Sequence, residues 1–113
     1  MAKNDYYAIA YRLLKYLYDC LKRSEKPAVS KLVAENFGIK QDYWEYVLRT
    51  LTERGYIEGV TLIDVCGRDD ALPEIERNIQ ITPEGIQFLK ENSMMSKAKA
   101  AAKEARDLID IFV

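Results

Sequence analysis

The hydrophobic pattern of the chain is organised around a central amphipathic segment. Trp44, Val47, Leu48 and Leu51 occupy positions i, i+3, i+4 and i+7, which lie on one face of an α-helix. Gly55 follows this run. Because glycine adopts the left-handed backbone conformation at little steric cost, it commonly ends a helix. The pattern therefore predicts an amphipathic helix that turns its Trp44 face inward and stops at Gly55.

The segment after Gly55 changes to the pattern of a β-hairpin. Residues 56–65 have no helical period and include several β-branched residues, which favours a strand. Residues 66–70 have turn chemistry, and Pro73 disfavours a two-residue hairpin turn, so a long connecting loop is expected. Residues 78–81 alternate between polar and apolar and are predicted to return as the second strand.

Two helices are predicted before the central segment. The first is capped by Asn4 or Asp5 and runs to about Arg23, with apolar residues along one side. A short second helix starts near Ser30 and is closed by Gly38. A short helix, a glycine-containing turn and a longer amphipathic helix together form a helix-turn-helix.

The C-terminal part is predicted to be helical. Thr82, Pro83 and Glu84 have the order of a cap, a first-turn proline and a dipole-favoured acid, and the helix they start stops near Asn92. A last helix then carries apolar residues at steps of four and three, the spacing of a short helix–helix seam. These seam residues are Met94, Ala98, Ala101, Ala105, Leu108 and Phe112. The seam packs either on the first helix of its own chain or on a second protomer.

Together these elements predict a mainly α fold with a small antiparallel β-hairpin, which is an α+β winged helix-turn-helix with an extra C-terminal helix. The length of 113 residues fits one domain over 1–113. The helix-turn-helix is expected at about 28–54, the wing at about 56–82, and the C-terminal helices at about 83–112.

The amino-acid composition argues against catalytic and metal-binding functions. The chain has no histidine, so it lacks the usual general acid–base and the commonest zinc ligand. The two cysteines, Cys20 and Cys66, do not have metal-ligand spacing. We therefore expect no enzyme, no cofactor and no metal. No apolar run is long enough to cross a bilayer and no secretory signal pattern begins the chain, so the expected compartment is the cytoplasm, without a membrane partner.

Three segments carry a resemblance to a known family. The stretches ERGYIEGV at 53–60, ITPEGIQFLKEN at 81–92 and SKAKAAAKEARDLI at 96–109, together with the order of elements, resemble the YjcQ family, which comprises small winged-helix proteins of Firmicutes and their phages. The resemblance implies a winged-helix fold and brings no catalytic residues. By analogy with winged-helix transcription regulators, it implies DNA binding as the first function to consider.

Residues for DNA contact are expected on the third helix and the wing. In a winged helix, the exposed side of the third helix enters the major groove and the wing touches the backbone or minor groove. Arg49 is suited to guanine, and Tyr46 or Thr50 to a phosphate. The candidate residues are Lys31, Lys40, Gln41, Tyr43, Tyr46, Arg49, Thr50 and Arg68. Helical spacing predicts that Arg49 and Tyr46 point outward, with Glu45 on the flank.

Charge argues against this interface. The net charge is −1 and the pI is about 5.5, and acids cancel bases along the helix. The wing is acidic, and phosphate would repel it. The partner therefore stays open between double-stranded DNA and a protein bound by an adaptor of the same fold.

The first helix is rich in tyrosine, and this suggests a further contact surface. Tyr6, Tyr7, Tyr11, Tyr16 and Tyr18 account for five of the eight tyrosines. Their hydroxyls either line an interface or point at water, and a ligand groove flanked by tyrosine is another reading. Tyr7, Tyr11 and Tyr18, with the C-terminal seam, are candidates for a homodimer interface.

Overall fold

The elements follow one another as helix, two 3-10 turns, helix, β-hairpin and helix in a computed structural model that describes residues 5–92. Helices α1 and α2 cover Tyr6–Lys22 and Gln41–Glu53, and the 3-10 turns between them cover Val29–Lys31 and Ala34–Phe37. Strands β1 and β2 cover Ile57–Ile63 and Leu72–Ile81. Helix α3 begins at residue 83 and is described as far as 92. The predicted last helix lies outside the described residues.

The core forms between the apolar faces of α1, α2 and the hairpin. Helix α1 is capped by Asp5, whose carboxylate accepts a hydrogen bond from the Tyr7 backbone nitrogen at 3.3 Å. The buried face of α1 consists of Ile9, Ala10, Leu13, Leu14, Leu17 and Cys20. On α2 the predicted inward face is confirmed, because each of its four apolar residues is at most 3% exposed. Each fully buried leucine of this core contributes roughly 2 kcal/mol through removal from water.

The short second helix predicted before α2 is corrected to two separate 3-10 turns. Val33 lies between them with φ −131° and ψ 154°, an extended conformation that interrupts any helix. So short a segment gains little from helical cooperativity. The break also allows Leu32 and Ala34, on either side of Val33, to reach the core, where they are 4% and 5% exposed. Gly38 ends the second turn at φ +69°, as predicted.

The hairpin differs from its predicted limits. Strand β1 ends at Ile63 instead of 65, and β2 begins at Leu72 instead of 78. Pro73 lies inside β2 opposite Leu62, which is tolerated because both strands of a two-stranded sheet are edge strands. The loop between the strands, residues 64–71, is long as expected, and we call it the wing loop.

The residues on either side of the hairpin end one helix and begin the next, as the sequence predicted. Gly55 follows α2 at φ +77°, and Thr82 caps α3 by accepting a hydrogen bond from the Gly85 nitrogen at 3.1 Å. Residues 5–92 thus contain three helices and a two-stranded antiparallel sheet. This is the predicted α+β fold in winged-helix order, with the 3-10 turns in place of one helix.

A β-bulge at Gly59 brings the two strands unusually close. The register shifts between Glu58 and Val60, and Gly59 has φ +88°. A Cβ atom added at Gly59 would lie 2.6 Å from the backbone nitrogen of Ile79, which is closer than non-bonded atoms approach. The strands can therefore adopt this register only with glycine at the bulge.

We expect Gly59→Ala to lower the free energy of unfolding by roughly 3 kcal/mol, since it combines a backbone clash with a left-handed alanine. Urea denaturation followed by Trp44 fluorescence measures this loss. Gly67→Ala is the matched control, because Gly67 has φ +87° but nothing within 4 Å of an added Cβ. The control should cost only about 1 kcal/mol. Equal losses in the two variants would contradict the close approach at the bulge.

Candidate nucleic-acid interface

The face of α2 opposite the core is the candidate interface. Its polar face begins with the exposed residues Lys40, Gln41 and Asp42 and continues along the helix to Tyr46, whose side chain is 49% exposed. These residues are outward because the four apolar residues of α2 fix the opposite face against α1. The surface therefore lies where a winged helix presents its recognition helix.

Glu45 is the departure from the helical pattern. It was expected on the flank of α2, and instead only 8% of the residue is exposed. Its carboxylate accepts hydrogen bonds from Gln41 Nε2 at 3.1 Å and from Arg68 Nη2 at 2.9 Å. Arg68 belongs to the wing loop, so this pair connects the wing loop to α2. A carboxylate at this depth requires such partners to remain ionised.

The environment of Glu45 lowers its pKa. Burial raises the pKa of the carboxyl, but the hydrogen bonds from Gln41 and Arg68 and the charges of Arg68 and Arg49 outweigh burial and hold the pKa below its ordinary value. Because the folded pKa lies below the unfolded one, the ionised form stabilises the fold above the ordinary glutamate pKa. This contribution is lost as the pH falls through the lowered pKa.

Arg49 was predicted to point outward, and the wing loop covers its side chain on that face. Its side chain is only 14% exposed. Nη1 donates to the Ala71 carbonyl at 3.3 Å, and Nη2 lies 3.8 Å from Asp70 Oδ2. The guanidinium carbon lies 5.8 Å from the centre of the Tyr46 ring. The helix therefore supplies a cation that the loop covers.

The two arginine contacts place the wing loop along the outward face of α2. One contact joins a helix carboxylate to a loop arginine, and the other joins a helix arginine to a loop carboxylate and carbonyl. The structure thus brings together four of the eight predicted residues. These four are Gln41, Tyr46, Arg49 and Arg68.

Thr50 serves the packing of α1 on α2. Its hydroxyl donates to the Tyr46 carbonyl at 2.8 Å, and because a hydroxyl has one proton, the Tyr6 hydroxyl is the donor in the 2.8 Å contact between Tyr6 and Thr50. Tyr43 is half-buried against the core, and burial raises the pKa of its phenol. Neither side chain therefore lies on the exposed strip with Tyr46.

Lys31 and Lys40 are exposed, and within residues 5–92 neither forms an ion pair. Lys31 ends the first 3-10 turn, and Lys40 precedes α2 at its N-terminus. They are therefore available to an anionic partner, in contrast to Arg49 and Arg68.

The tyrosines of α1 divide between the two expected roles. The Tyr6 hydroxyl bonds Thr50, and the Tyr16 hydroxyl accepts a hydrogen bond from the Ala28 nitrogen at 2.9 Å, so both act within the fold. Tyr7 is 57% exposed. Tyr11 and Tyr18 are half-buried against the core. The seam residues that were predicted to join these tyrosines in a dimer, Met94, Ala98, Ala101, Ala105, Leu108 and Phe112, lie outside the described residues.

Five aromatic rings form a connected surface row. Tyr46 of α2 lies edge-on to Tyr6 with the ring centres 5.9 Å apart, and Tyr6 lies edge-on to Tyr7 at 5.2 Å. Tyr7 stacks on Phe88 of α3 at 6.2 Å, and Phe88 stacks on Tyr56 at 5.0 Å. We call this set the aromatic row, and its exposed members are Tyr7 and Tyr46.

A separate groove of about 300 Å³ lies between the end of α1 and the hairpin. Its apolar floor includes Leu17, Cys20 and Ile79, and its lining contains no tyrosine. It is therefore distinct from the tyrosine-flanked groove that the sequence suggested. Of the two cysteines, Cys20 is buried here and Cys66 is exposed in the wing loop.

Sequence reasoning missed the acceptors that organise this surface. Glu45 was expected on the flank of α2, Asp70 was assigned to a turn, and no role was predicted for Ala71. A signal did exist, since Gln41, Glu45 and Arg49 are spaced four apart and so lie along one helical strip. The pairing of that strip with Arg68 across the hairpin loop has no local signature.

Comparison with known proteins gives two matches. A family model described as YjcQ protein matches residues 11–108. The solution NMR structure of the YjcQ protein from Bacillus subtilis is similar, with 23% sequence identity, a TM-score of 0.48, and coverage of 75% of this chain and 92% of that chain. No curated protein matches the chain. Within the described residues, no helix has the length and apolar character that a membrane crossing requires.

Proposed function

This chain belongs to the YjcQ family, and we propose that it is a winged-helix protein that binds double-stranded DNA through α2 and the wing loop. The role that fits such binding is regulation of transcription, including regulation of phage or mobile-element genes. The proposal includes no catalytic centre and no cofactor.

The observation that carries the proposal is the convergence of two guanidinium groups on the outer side of the recognition helix. Arg49 comes from the helix and Arg68 from the wing, and each is met by a carboxylate of the same chain. Arginine pairs with carboxylate and phosphate through the same planar donor geometry. Phosphate oxygens of DNA can therefore replace Glu45 and Asp70 as the acceptors of these two guanidinium groups.

Further exposed groups on α2 add hydrogen-bond donors that suit phosphate oxygens. Lys40 and Gln41 lie at the N-terminal end of α2, where the helix dipole also favours an anion. Tyr46 is exposed beside Arg49, and a phenol hydroxyl donates readily to phosphate. The expected docking inserts α2 in the major groove, with the wing loop on the adjacent backbone.

We expect Lys40→Ala with Arg49→Ala to abolish binding to a DNA fragment from the protein's own locus. The double change removes one exposed and one paired cation of the proposed interface. Fluorescence anisotropy on labelled duplex measures the affinity. If the unmodified protein neutralises about four phosphates, its affinity should fall roughly a hundredfold between about 50 and about 200 mM salt.

Lys15→Ala with Lys22→Ala is the charge-matched control for that experiment. Both lysines lie on α1 and face Asp19, at 2.9 and 3.8 Å, so the control removes two positive charges away from α2. It should retain binding within about threefold. Binding by the Lys40/Arg49 variant that is unchanged and insensitive to salt would contradict the groove model.

A protein-binding adaptor is the second candidate function, and the aromatic row favours it. Exposed aromatic residues with polar tips are enriched at protein interfaces. Tyr7 at 57% exposure and Tyr46 at 49% are the most exposed members of the row. A second copy of this chain is one such partner, as in the homodimer suggested by the sequence.

We expect a self-association through the row to be weakened by Tyr7→Ser with Tyr46→Ser, which removes two exposed rings. Light scattering at high protein concentration should then show a dimer for the unmodified chain and a monomer for the variant. Leu21→Ser is the control, because Leu21 is an apolar residue of α1 that is 44% exposed and lies outside the row. A monomeric mass for the unmodified chain would exclude the homodimer.

A further inference from the structure

We propose that the wing loop is an autoinhibitory clasp on the DNA-binding surface. In the free protein it holds Arg49 and Arg68 against acceptors of this chain, and DNA gains both guanidinium groups only when the loop lifts from α2. This inference rests on the DNA-binding function proposed above and adds a regulatory step to it.

The clasp consists of two contacts between the wing loop and α2, which we call its fastenings. Arg68 donates to Glu45 at 2.9 Å, and Arg49 donates to the Ala71 carbonyl at 3.3 Å and faces Asp70. Between them, the Arg68 side chain donates to the Asp70 carbonyl at 3.3 Å, which joins the two fastenings inside the loop. Residues 64–70 are otherwise exposed. The loop position therefore depends on these contacts more than on apolar packing.

The clasp residues on α2 are more buried than those on the wing loop. We therefore expect the loop to move and the helix to stay in place. On the helix side, the side chains of Glu45 and Arg49 are 11% and 14% exposed. On the loop side, those of Arg68 and Asp70 are 37% and 68% exposed. Solvent-accessible ion pairs are weak and are screened by salt. The loop can consequently release its side of each pair while α2 stays packed on the core.

DNA is suited to displace the clasp because it offers many phosphates in place of two carboxylates. Lifting the loop frees both guanidinium groups and also carries the acidic residues Asp69 and Asp70 away from the groove side of α2. Glu45 keeps its hydrogen bond from Gln41 after Arg68 leaves. The net effect is the loss of one negative charge beside α2, because Arg68 leaves together with Asp69 and Asp70, and a polyanion favours this change.

The chain contains a natural pair of probes for this movement. Trp44 is the single tryptophan and is adjacent to Glu45 on α2. Cys66 is an exposed thiol in the wing loop, whereas Cys20 is buried. A naphthalene sulfonate label on Cys66 therefore accepts energy from Trp44, and the transfer efficiency reports the distance between the loop and the helix.

The test compares Glu45→Gln with the unmodified chain. The variant keeps the side-chain shape and removes the charge that fastens Arg68. We expect lower energy transfer from Trp44 to labelled Cys66 without DNA. We also expect the unlabelled variant to bind duplex DNA about fivefold more tightly than the unmodified chain. Asp70→Asn, at an exposed position, should change both readouts in the same direction by a smaller amount.

Glu53→Gln is the matched control, since Glu53 is an exposed acid on α2 outside both fastenings. It should leave the energy transfer unchanged and raise the affinity by less than about twofold. Equal gains in affinity for the Glu45 and Glu53 variants would overturn the clasp, because charge removal alone would then explain them. DNA binding with unchanged energy transfer in Glu45→Gln would also overturn the clasp. Failure of every protein to bind DNA would overturn the proposed function itself.

Discussion

The ion pair between Glu45 and Arg68 is the interaction on which the surface of this protein depends. A carboxylate in a nearly buried position on α2 is costly unless it is matched by charge and hydrogen bonds. The matching arginine, Arg68, comes from the wing loop. The ion pair with Glu45 therefore holds the wing loop against α2. In this position the loop covers Arg49.

This constraint explains why the outward face of α2 carries little net charge. Arg49 and Arg68 are present there, but acceptors of the same chain pair with both. Lys31 and Lys40, which form no ion pair with the residues from 5 to 92 that the structure describes, lie outside the two fastenings. Beside this polar surface, the aromatic row continues across α1 and α3 and provides an apolar surface of a different chemical kind. The two surfaces meet at Tyr46, whose ring contacts both Tyr6 and the Arg49 guanidinium.

Local signals predicted much of the fold. The four-residue apolar face of α2, the helix stop at Gly55 and the Thr82 cap all depend on nearby residues, and each is found as expected. The two 3-10 turns were missed because Val33 becomes extended to satisfy tertiary packing. The long β2 strand was missed because Pro73 is tolerated only in a sheet that has no central strand. The loop contacts of Arg49 and Arg68 were missed because they join residues that are far apart in sequence.

The most direct test of the account is the pKa of the Glu45 side chain, measured by a carbon-detected NMR titration of the free protein. The account predicts a pKa below the ordinary glutamate value, together with a rise in that pKa when Arg68 is replaced by alanine, because burial then acts with less compensation. A pKa at or above the ordinary value in the unmodified chain, or one that is unchanged in Arg68→Ala, would contradict the account.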